Sequence, residues 1–293
     1  MGDELFKRLS LEDESTWSAP ALLNPENHTV VEQLHQEFIQ AGASLITTCN
    51  FSVRTRNGFN SEEIFKACKA AGFLARKAAN SFKERNIQVL GSLPPLQDCF
   101  RKDSCPTEIS QYEPIIDGLN SYCDFFIGET LSSTQEAFQI LETTKRTGKS
   151  CMISFSLSTE GNLYSGETPA TAVQSLLLPN LNTTGIFPVA ILFNCSSPEL
   201  IKLGLESLQS SSITTLLQKN NCELGVYPNR YFPVNPDWTN LSQPIRMELT
   251  PHSFTEFCLD AIKNHRVTIV GGCCGITPNF INELNSLMLN NHI

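Results

Sequence analysis

The chain carries seven short apolar runs, rich in β-branched and aromatic residues, that are separated by longer mixed segments. Most of these runs are continuous rather than alternating, which is the pattern of parallel strands covered on both faces. The separations leave room for a helix between successive strands. The predicted strands lie at 43–49, 87–92, 123–128, 150–155, 189–194, 222–227 and 267–272.

Amphipathic segments lie between the predicted strands. Residues 62–85 and 132–148 have the apolar spacing of helices that cover a sheet, and residues 28–42 predict a helix that leads into the first strand. The alternation of strands and helices favours an α/β fold of the (β/α)8 type, the TIM barrel. No linker or change of composition divides the chain, so we predict a single domain over residues 1–293, with residues 227–244 as a long loop.

The strand count is one short, because a closed barrel needs eight strands. Nothing before residue 43 has the pattern of a strand: residues 3–9 predict the start of a helix, and residues 17–25 predict a loop. We therefore expect the first strand of the barrel to lie before Met1, unless a short atypical segment or a partner closes the barrel.

The charge balance argues for a small-molecule partner. The chain has 30 acidic and 21 basic residues, so binding to nucleic acid or to an anionic membrane has no electrostatic support. The N-terminus has neither a basic region nor an apolar stretch, and no apolar run approaches the roughly 20 residues of a membrane helix. We predict a cytoplasmic protein, in which the eleven cysteines are reduced thiols rather than a disulfide framework.

Three cysteines follow two of the predicted strands at the end where barrel enzymes place their active sites. Cys195 follows the strand at 189–194, and Cys273 and Cys274 follow the strand at 267–272. Three converging thiolates are soft ligands that favour zinc, and three protein ligands leave a fourth position for substrate, as in catalytic zinc sites. Flanking glycines would let both neighbouring sulfurs turn towards one ion.

The other cysteines have a plainer explanation. Cysteine is among the most buried residue types, so core packing accounts for most of them, and it remains an alternative for the vicinal pair as well. Cys49 ends a strand and is open to either interpretation. The remaining thiols are assigned to the core at Cys68, Cys123, Cys151, Cys222 and Cys258, or to a loop at Cys99 and Cys105.

Six motifs occur in order along the chain: AGASLITT at 41–48, GSLPPL at 91–96, FIGETLSSTQEA at 126–137, FNCSSPE at 193–199, YPN at 227–229 and GGCCGITP at 271–278. Together they resemble those of the homocysteine S-methyltransferases, a family that includes S-methylmethionine-dependent and betaine-dependent enzymes. The resemblance implies a zinc-binding (β/α)8 barrel in which Cys195, Cys273 and Cys274 bind Zn²⁺. It also implies that Glu129 holds the ammonium of homocysteine.

The chemistry of that family agrees with a three-thiolate site. A free thiol is mostly protonated at neutral pH, whereas coordination to zinc deprotonates it, and the thiolate is the nucleophile. The substrates implied are homocysteine and a sulfonium donor, S-methylmethionine or S-adenosylmethionine, because betaine enzymes usually carry a longer C-terminal extension. Asn194 is a candidate to orient the site or the substrate, and Tyr227 and Asn229 are weaker candidates.

Two departures from the family pattern keep other hypotheses open. In family members, a strand and an aspartate that binds the homocysteine ammonium come before a turn, and MGDEL at 1–5 matches only the inside of that turn. In addition, TTCN at 47–50 stands where the family usually has Thr-Thr-Asn-Thr. One alternative is therefore an N-terminally truncated zinc-binding homologue with little activity. A structural or redox thiol-metal protein is the alternative from another class.

Overall fold

Seven strands form one parallel sheet in the computed structural model, which describes residues 1–11, 16–101, 108–232 and 244–290. Each strand pairs with the next one in the chain, so the order across the sheet is the order in the sequence. The strands are β1 (Leu45–Thr47), β2 (Gln88–Leu93), β3 (Phe125–Leu131), β4 (Cys151–Phe155), β5 (Ala190–Asn194), β6 (Glu223–Tyr227) and β7 (Ile269–Val270).

Helices precede the sheet and connect its strands. The first three lie before β1, and the others lie between strands or after β7. They are α1 (Gly2–Arg8), α2 (Pro20–Leu23), α3 (His28–Gln40), α4 (Ser61–Asn80), α5 (Glu113–Leu119), α6 (Thr134–Thr144), α7 (Pro169–Leu177), α8 (Pro198–Glu206), α9 (Ser211–Lys219), α10 (Pro251–His265) and α11 (Pro278–Asn290).

All seven predicted strands are confirmed, with ends that shift by a few residues. The helix predicted over 62–85 ends earlier, at Asn80. The prediction of a loop over residues 17–25 is wrong in part, because Pro20 starts the single helical turn of α2. Within the predicted loop 227–244, residues 233–243 lie outside the described part of the chain.

Local sequence explains where α4 begins. The side chain of Asn60 accepts hydrogen bonds from the backbone N–H groups of Glu62 and Glu63, both at 3.0 Å. The Glu63 carboxylate in turn accepts from the Asn60 N–H at 2.9 Å, which completes a capping box. Small and aliphatic residues spaced along the helix, among them Ile64 and Ala71, are buried against the sheet and the neighbouring helices.

The sheet curls around one cavity. Leu45 in β1 and Val270 in β7 belong to opposite edges of the sheet, yet both line a cavity of about 830 Å³. Side chains from successive strands form the inner apolar cluster around it, and a much larger apolar core lies between the sheet and the helices. The inner cluster contains Leu90, Ile127, Met152, Ala190 and Leu192.

The curled sheet is an incomplete barrel over the described residues. Strands β1 and β7 are its two edges, and neither pairs on its outer side with another strand of the described residues. As predicted, the described residues before β1 contain helices and turns but no strand. That an eighth strand precedes Met1 stays a prediction. No helix in the described part of the chain combines the length and apolarity needed to cross a bilayer.

Candidate metal and substrate site

Three cysteine sulfurs meet at the carboxyl ends of β5 and β7. The Sγ atom of Cys274 lies 3.8 Å from that of Cys195 and 3.9 Å from that of Cys273. All three sulfurs lie within 4.8 Å of one another, and no fourth His, Cys, Asp or Glu of the described residues joins the group. The structure therefore brings together the three residues that the sequence singled out.

The sulfur spacing fits zinc. Ligand sulfurs about 2.3 Å from a tetrahedral zinc ion lie roughly 3.8 Å apart, close to the two short separations in the cluster. The three cysteines also line the cavity enclosed by the sheet, so a ligand in the cavity can reach the sulfurs. The donor set and its geometry thus suit a zinc ion with one coordination position facing the cavity.

Backbone strain places the first sulfur. Cys195 follows β5 with φ +51°, a left-handed conformation that a non-glycine residue adopts at some cost. Its carbonyl accepts a hydrogen bond from the Asn229 side chain at 2.9 Å, and its N–H bonds the carbonyl of Tyr227 at 3.4 Å. These contacts from the end of β6 stabilise the bend, which turns the sulfur towards β7.

The vicinal pair lies in a turn that is tied to the segment after β6. The Cys273 N–H donates to the carbonyl of Pro228 at 2.8 Å, and the Cys274 carbonyl accepts from the N–H of Arg230 at 2.8 Å. The next residue, Gly275, has φ +76°, and a Cβ atom there would come within 2.7 Å of the Arg230 side chain. Glycine at this position is therefore required both by the backbone conformation and by the close approach.

The three thiols share their protons unequally. Hydrogen bonds from Cys195 and Cys274 hold the pKa of Cys273 well below its usual value. The pKa of Cys195 is raised by its hydrogen bond with Cys273, and that of Cys274 is raised first by its hydrogen bond with Cys195. A divalent cation that binds all three sulfurs would displace the thiol protons.

Glu129 is a carboxylate inside the barrel, in the last part of β3. It accepts a hydrogen bond from the Ser92 hydroxyl at 2.5 Å and one from the Tyr227 hydroxyl at 3.5 Å. Burial raises its pKa to about 7, although the Ser92 hydrogen bond opposes this, and the nearby Cys273 adds to it. The residue lines the cavity together with the sulfur cluster.

Asn194 connects the acid to the sulfur cluster. Its side-chain oxygen accepts from the Thr130 N–H at 3.0 Å and from the Ser154 hydroxyl at 2.7 Å. Its side-chain amide donates to the Thr130 hydroxyl at 2.8 Å and lies 4.0 Å from the Cys273 sulfur. Thr130 has φ +63° and follows Glu129 directly, so Asn194 supports a strained backbone next to the acid.

The other cysteines of the described residues lie outside the three-sulfur group, although Cys49 and Cys99 line the same cavity. Cys49 is buried, and burial raises its pKa to about 12, so it is a poor source of thiolate despite its position at a strand end. Cys99 is a free thiol whose pKa is raised by burial, and Cys105 lies outside the described residues. The core assignment is confirmed for the buried thiols Cys68, Cys123, Cys151, Cys222 and Cys258.

Sequence reasoning missed several groups that surround the cluster. Ser92 falls within the motif at 91–96, so its position at a strand end was a usable signal. Asp3 and Tyr231 gave no such signal. The Asp3 carboxylate accepts hydrogen bonds from the Tyr231 hydroxyl at 2.9 Å and from the Gly275 N–H at 2.7 Å. Asp3 and Gly275 are 272 residues apart in the sequence.

The fold and the site together define an α/β barrel-type protein with a three-thiol cluster at the carboxyl ends of its strands. The sequence profile of the homocysteine S-methyltransferases matches residues 1–288, and the chain belongs to that family.

Curated relatives include betaine–homocysteine S-methyltransferase 1 of Bos taurus, which is 24% identical over 280 residues. That alignment covers 92% of this chain and 66% of the relative, so the chain spans about two thirds of the relative's length. The S-methylmethionine–homocysteine S-methyltransferase BHMT2 of Pongo abelii is 25% identical over 292 residues, with 92% of this chain and 71% of the relative covered.

Among solved structures, the metallated form of the homocysteine methyltransferase MmuM from Escherichia coli has a similar fold. The TM-score is 0.75 at 19% identity, over 98% of this chain and 94% of the other. The likeness extends over almost the whole chain and supports a TIM-like arrangement of the seven strands.

Proposed function

We propose that this chain is a zinc-dependent methyltransferase that moves a methyl group from a sulfonium donor, S-methylmethionine or S-adenosylmethionine, to homocysteine, forming methionine. The observation that carries the proposal is the meeting of three cysteine sulfurs, spaced as zinc ligands, on the wall of a cavity that is also lined by the half-buried carboxylate of Glu129. Cys195, Cys273 and Cys274 would hold the metal.

Zinc bound by these sulfurs would supply a homocysteine thiolate at neutral pH, because coordination lowers the pKa of a thiol. We propose that the Glu129 carboxylate binds the substrate ammonium, and its hydrogen bonds from Ser92 and Tyr227 support this by holding the carboxylate at the cavity wall. Asn194 is proposed to act mainly by supporting the backbone beside Glu129 and by orienting the Cys273 sulfur.

The transfer itself is an in-line displacement. The homocysteine sulfur forms a bond to the methyl carbon while the bond from that carbon to the sulfonium sulfur breaks, and the electron pair leaves with a neutral thioether. Negative and positive charge are both lost on the way to the transition state, so a cavity that excludes water favours the reaction. Phe51 and Phe100 line the same cavity, and the guanidinium of Arg54 lies over the Phe51 ring, 5.5 Å from its centroid.

Metal analysis tests the site. The purified chain should bind about one zinc, and Cys273→Ala should lose both the zinc and methyl transfer. Cys258→Ala is the matched control, because Cys258 is a buried thiol in the cluster of α10 and α11, away from the three sulfurs. Zinc content and activity that survive Cys273→Ala would overturn the assignment.

A panel of donors tests the reaction. Homocysteine is incubated with S-methylmethionine, S-adenosylmethionine or betaine, and methionine is measured. The proposal expects methionine from a sulfonium donor. A folded, zinc-loaded chain that forms no methionine from any of the three would favour the weakly active homologue instead, and methionine from betaine alone would overturn the choice of donor.

A further inference from the structure

Asp3 reaches the metal-ligand turn from the other end of the chain. It lies in the first turn of α1, and its half-buried carboxylate contacts the turn that carries Cys273 and Cys274. One carboxylate oxygen accepts both from the Gly275 N–H at 2.7 Å and from the Tyr231 hydroxyl at 2.9 Å.

Hydrogen bonds hold the backbone of the Cys273–Cys274 turn at three successive residues, and Asp3 makes the third of these contacts. The segment after β6 holds the Cys273 N–H and the Cys274 carbonyl through Pro228 and Arg230. The N–H of Gly275 is held by Asp3 alone among the hydrogen bonds of the described residues. Gly275 adopts a left-handed conformation, and glycine has the greatest backbone freedom of any residue. Without this contact, the residue that follows the second ligand would be both flexible and unpaired.

The charge of Asp3 does not explain its presence beside the cysteines. A carboxylate and nearby thiolates repel each other, and burial strengthens that repulsion. The feature of Asp3 that the geometry uses is an oxygen that accepts two hydrogen bonds at once. An asparagine side chain has an oxygen at nearly the same place and no charge.

We propose that Asp3 is a positioning residue that holds the Cys273–Cys274 turn in metal-binding geometry, so that the zinc affinity of the site depends on α1. The proposal rests on the proposed function in one respect, since it takes the three sulfurs to bind zinc. Loss of a supporting hydrogen bond around a zinc site typically costs 10- to 100-fold in metal affinity. The effect here acts through the backbone at Gly275 and not through contact with substrate.

Zinc affinity measured by competition with a chromophoric chelator tests this. Asp3→Ala is expected to weaken zinc binding about 10- to 100-fold, and Asp3→Asn should keep it within about threefold, because the acceptor oxygen remains. Glu4→Ala is the matched control: Glu4 is the next acidic residue of α1, and its carboxylate pairs with Arg8 at 3.5 Å, away from the turn. It should leave zinc affinity unchanged.

A further variant covers the case in which Asp3→Ala fails to fold. Asp3→Glu keeps the charge and moves the acceptor by one methylene, so it should weaken zinc binding by about tenfold. Wild-type affinity in Asp3→Glu, or in a folded Asp3→Ala, would overturn the proposal. A third result would also overturn it: Asp3→Ala and Asp3→Asn both keep the wild-type zinc affinity and both raise the KM for homocysteine equally. That result would mean that the Asp3 carboxylate contacts the substrate.

The two proposals fail in different ways. A wild-type chain that binds no zinc refutes the proposed function, and this inference falls with it. A wild-type chain that binds zinc and transfers methyl groups, together with an Asp3→Ala variant of equal zinc affinity, refutes only the role of Asp3.

Discussion

Replacing Glu129 by glutamine should make the protein more stable and less active. The carboxylate is held inside the barrel, and burial is the main reason that its pKa rises from 4.5 to about 7. Glutamine has nearly the same shape and can still accept from Ser92, but it has no charge to desolvate. Such a conflict between stability and activity is common where a buried charged group serves function.

The size and the pH dependence of the effect follow from the pKa. The folded state binds the Glu129 proton more tightly than the unfolded state does, so the wild-type protein loses stability as the pH rises from about 4.5 to about 7. A rise of that size corresponds to about 3 kcal/mol, an upper limit because the Glu129 side chain is only half-buried and solvent screens its charge. The free energy of unfolding of Glu129→Gln should therefore equal that of the wild type near pH 4.5 and exceed it increasingly as the pH rises towards 8.

Urea unfolding of the metal-free protein, followed by circular dichroism between pH 4.5 and 8, measures the free energy of unfolding directly. Glu84→Gln provides a control, because Glu84 is an exposed carboxylate outside the cavity. Turnover assays should show the KM for homocysteine raised about 10- to 100-fold in Glu129→Gln, as expected for the loss of a charged hydrogen bond. Equal stability at pH 8, or a gain that does not vary with pH, would refute this reasoning.

Other substitutions test the packing and the helix ends. Asn60→Ala removes the capping box of α4 and should cost about 1 kcal/mol in urea unfolding. Gly225→Ala places a Cβ atom 2.5 Å from the Leu192 side chain in the inner sheet, so a loss of about 1–3 kcal/mol is expected; a neutral result would mean that the strands can move apart. Phe254→Ala empties a fully buried site between α10 and α11 and should cost about 3–5 kcal/mol. Phe73→Ala, at a half-exposed position on α4, should lower the free energy of unfolding in urea by much less than Phe254→Ala does.

Local pattern was enough for the scaffold and for the sulfur cluster. Continuous apolar runs identify covered parallel strands whatever the rest of the chain does, so all seven strands could be predicted. Residues that directly follow parallel strands meet at one edge of the sheet, which is why Cys195 and the vicinal pair could be placed together from their positions alone. The short helix α2 was missed because one turn has too little periodicity to detect.

Contacts between distant segments could not be predicted in the same way. Cys49 also ends a strand, and only the packing around β1 and α4 decides that it is buried and lies outside the three-sulfur group. The link from Asp3 to Gly275 joins residues 272 positions apart, and no periodicity or motif relates them. Such contacts depend on how helices dock against the sheet, and docking is decided by the summed packing of many side chains.

The sequence by itself determined the strand order, the family resemblance and the three sulfur ligands of the candidate zinc site, because each is expressed in residues of the strands or of the short segments next to them. The tertiary structure alone decided which neutral and acidic groups surround those sulfurs, which hydrogen bonds shift the pKa values of the three thiols, and how α1 contacts the Cys273–Cys274 turn. Those features arise from distances through space, which a one-dimensional pattern does not contain.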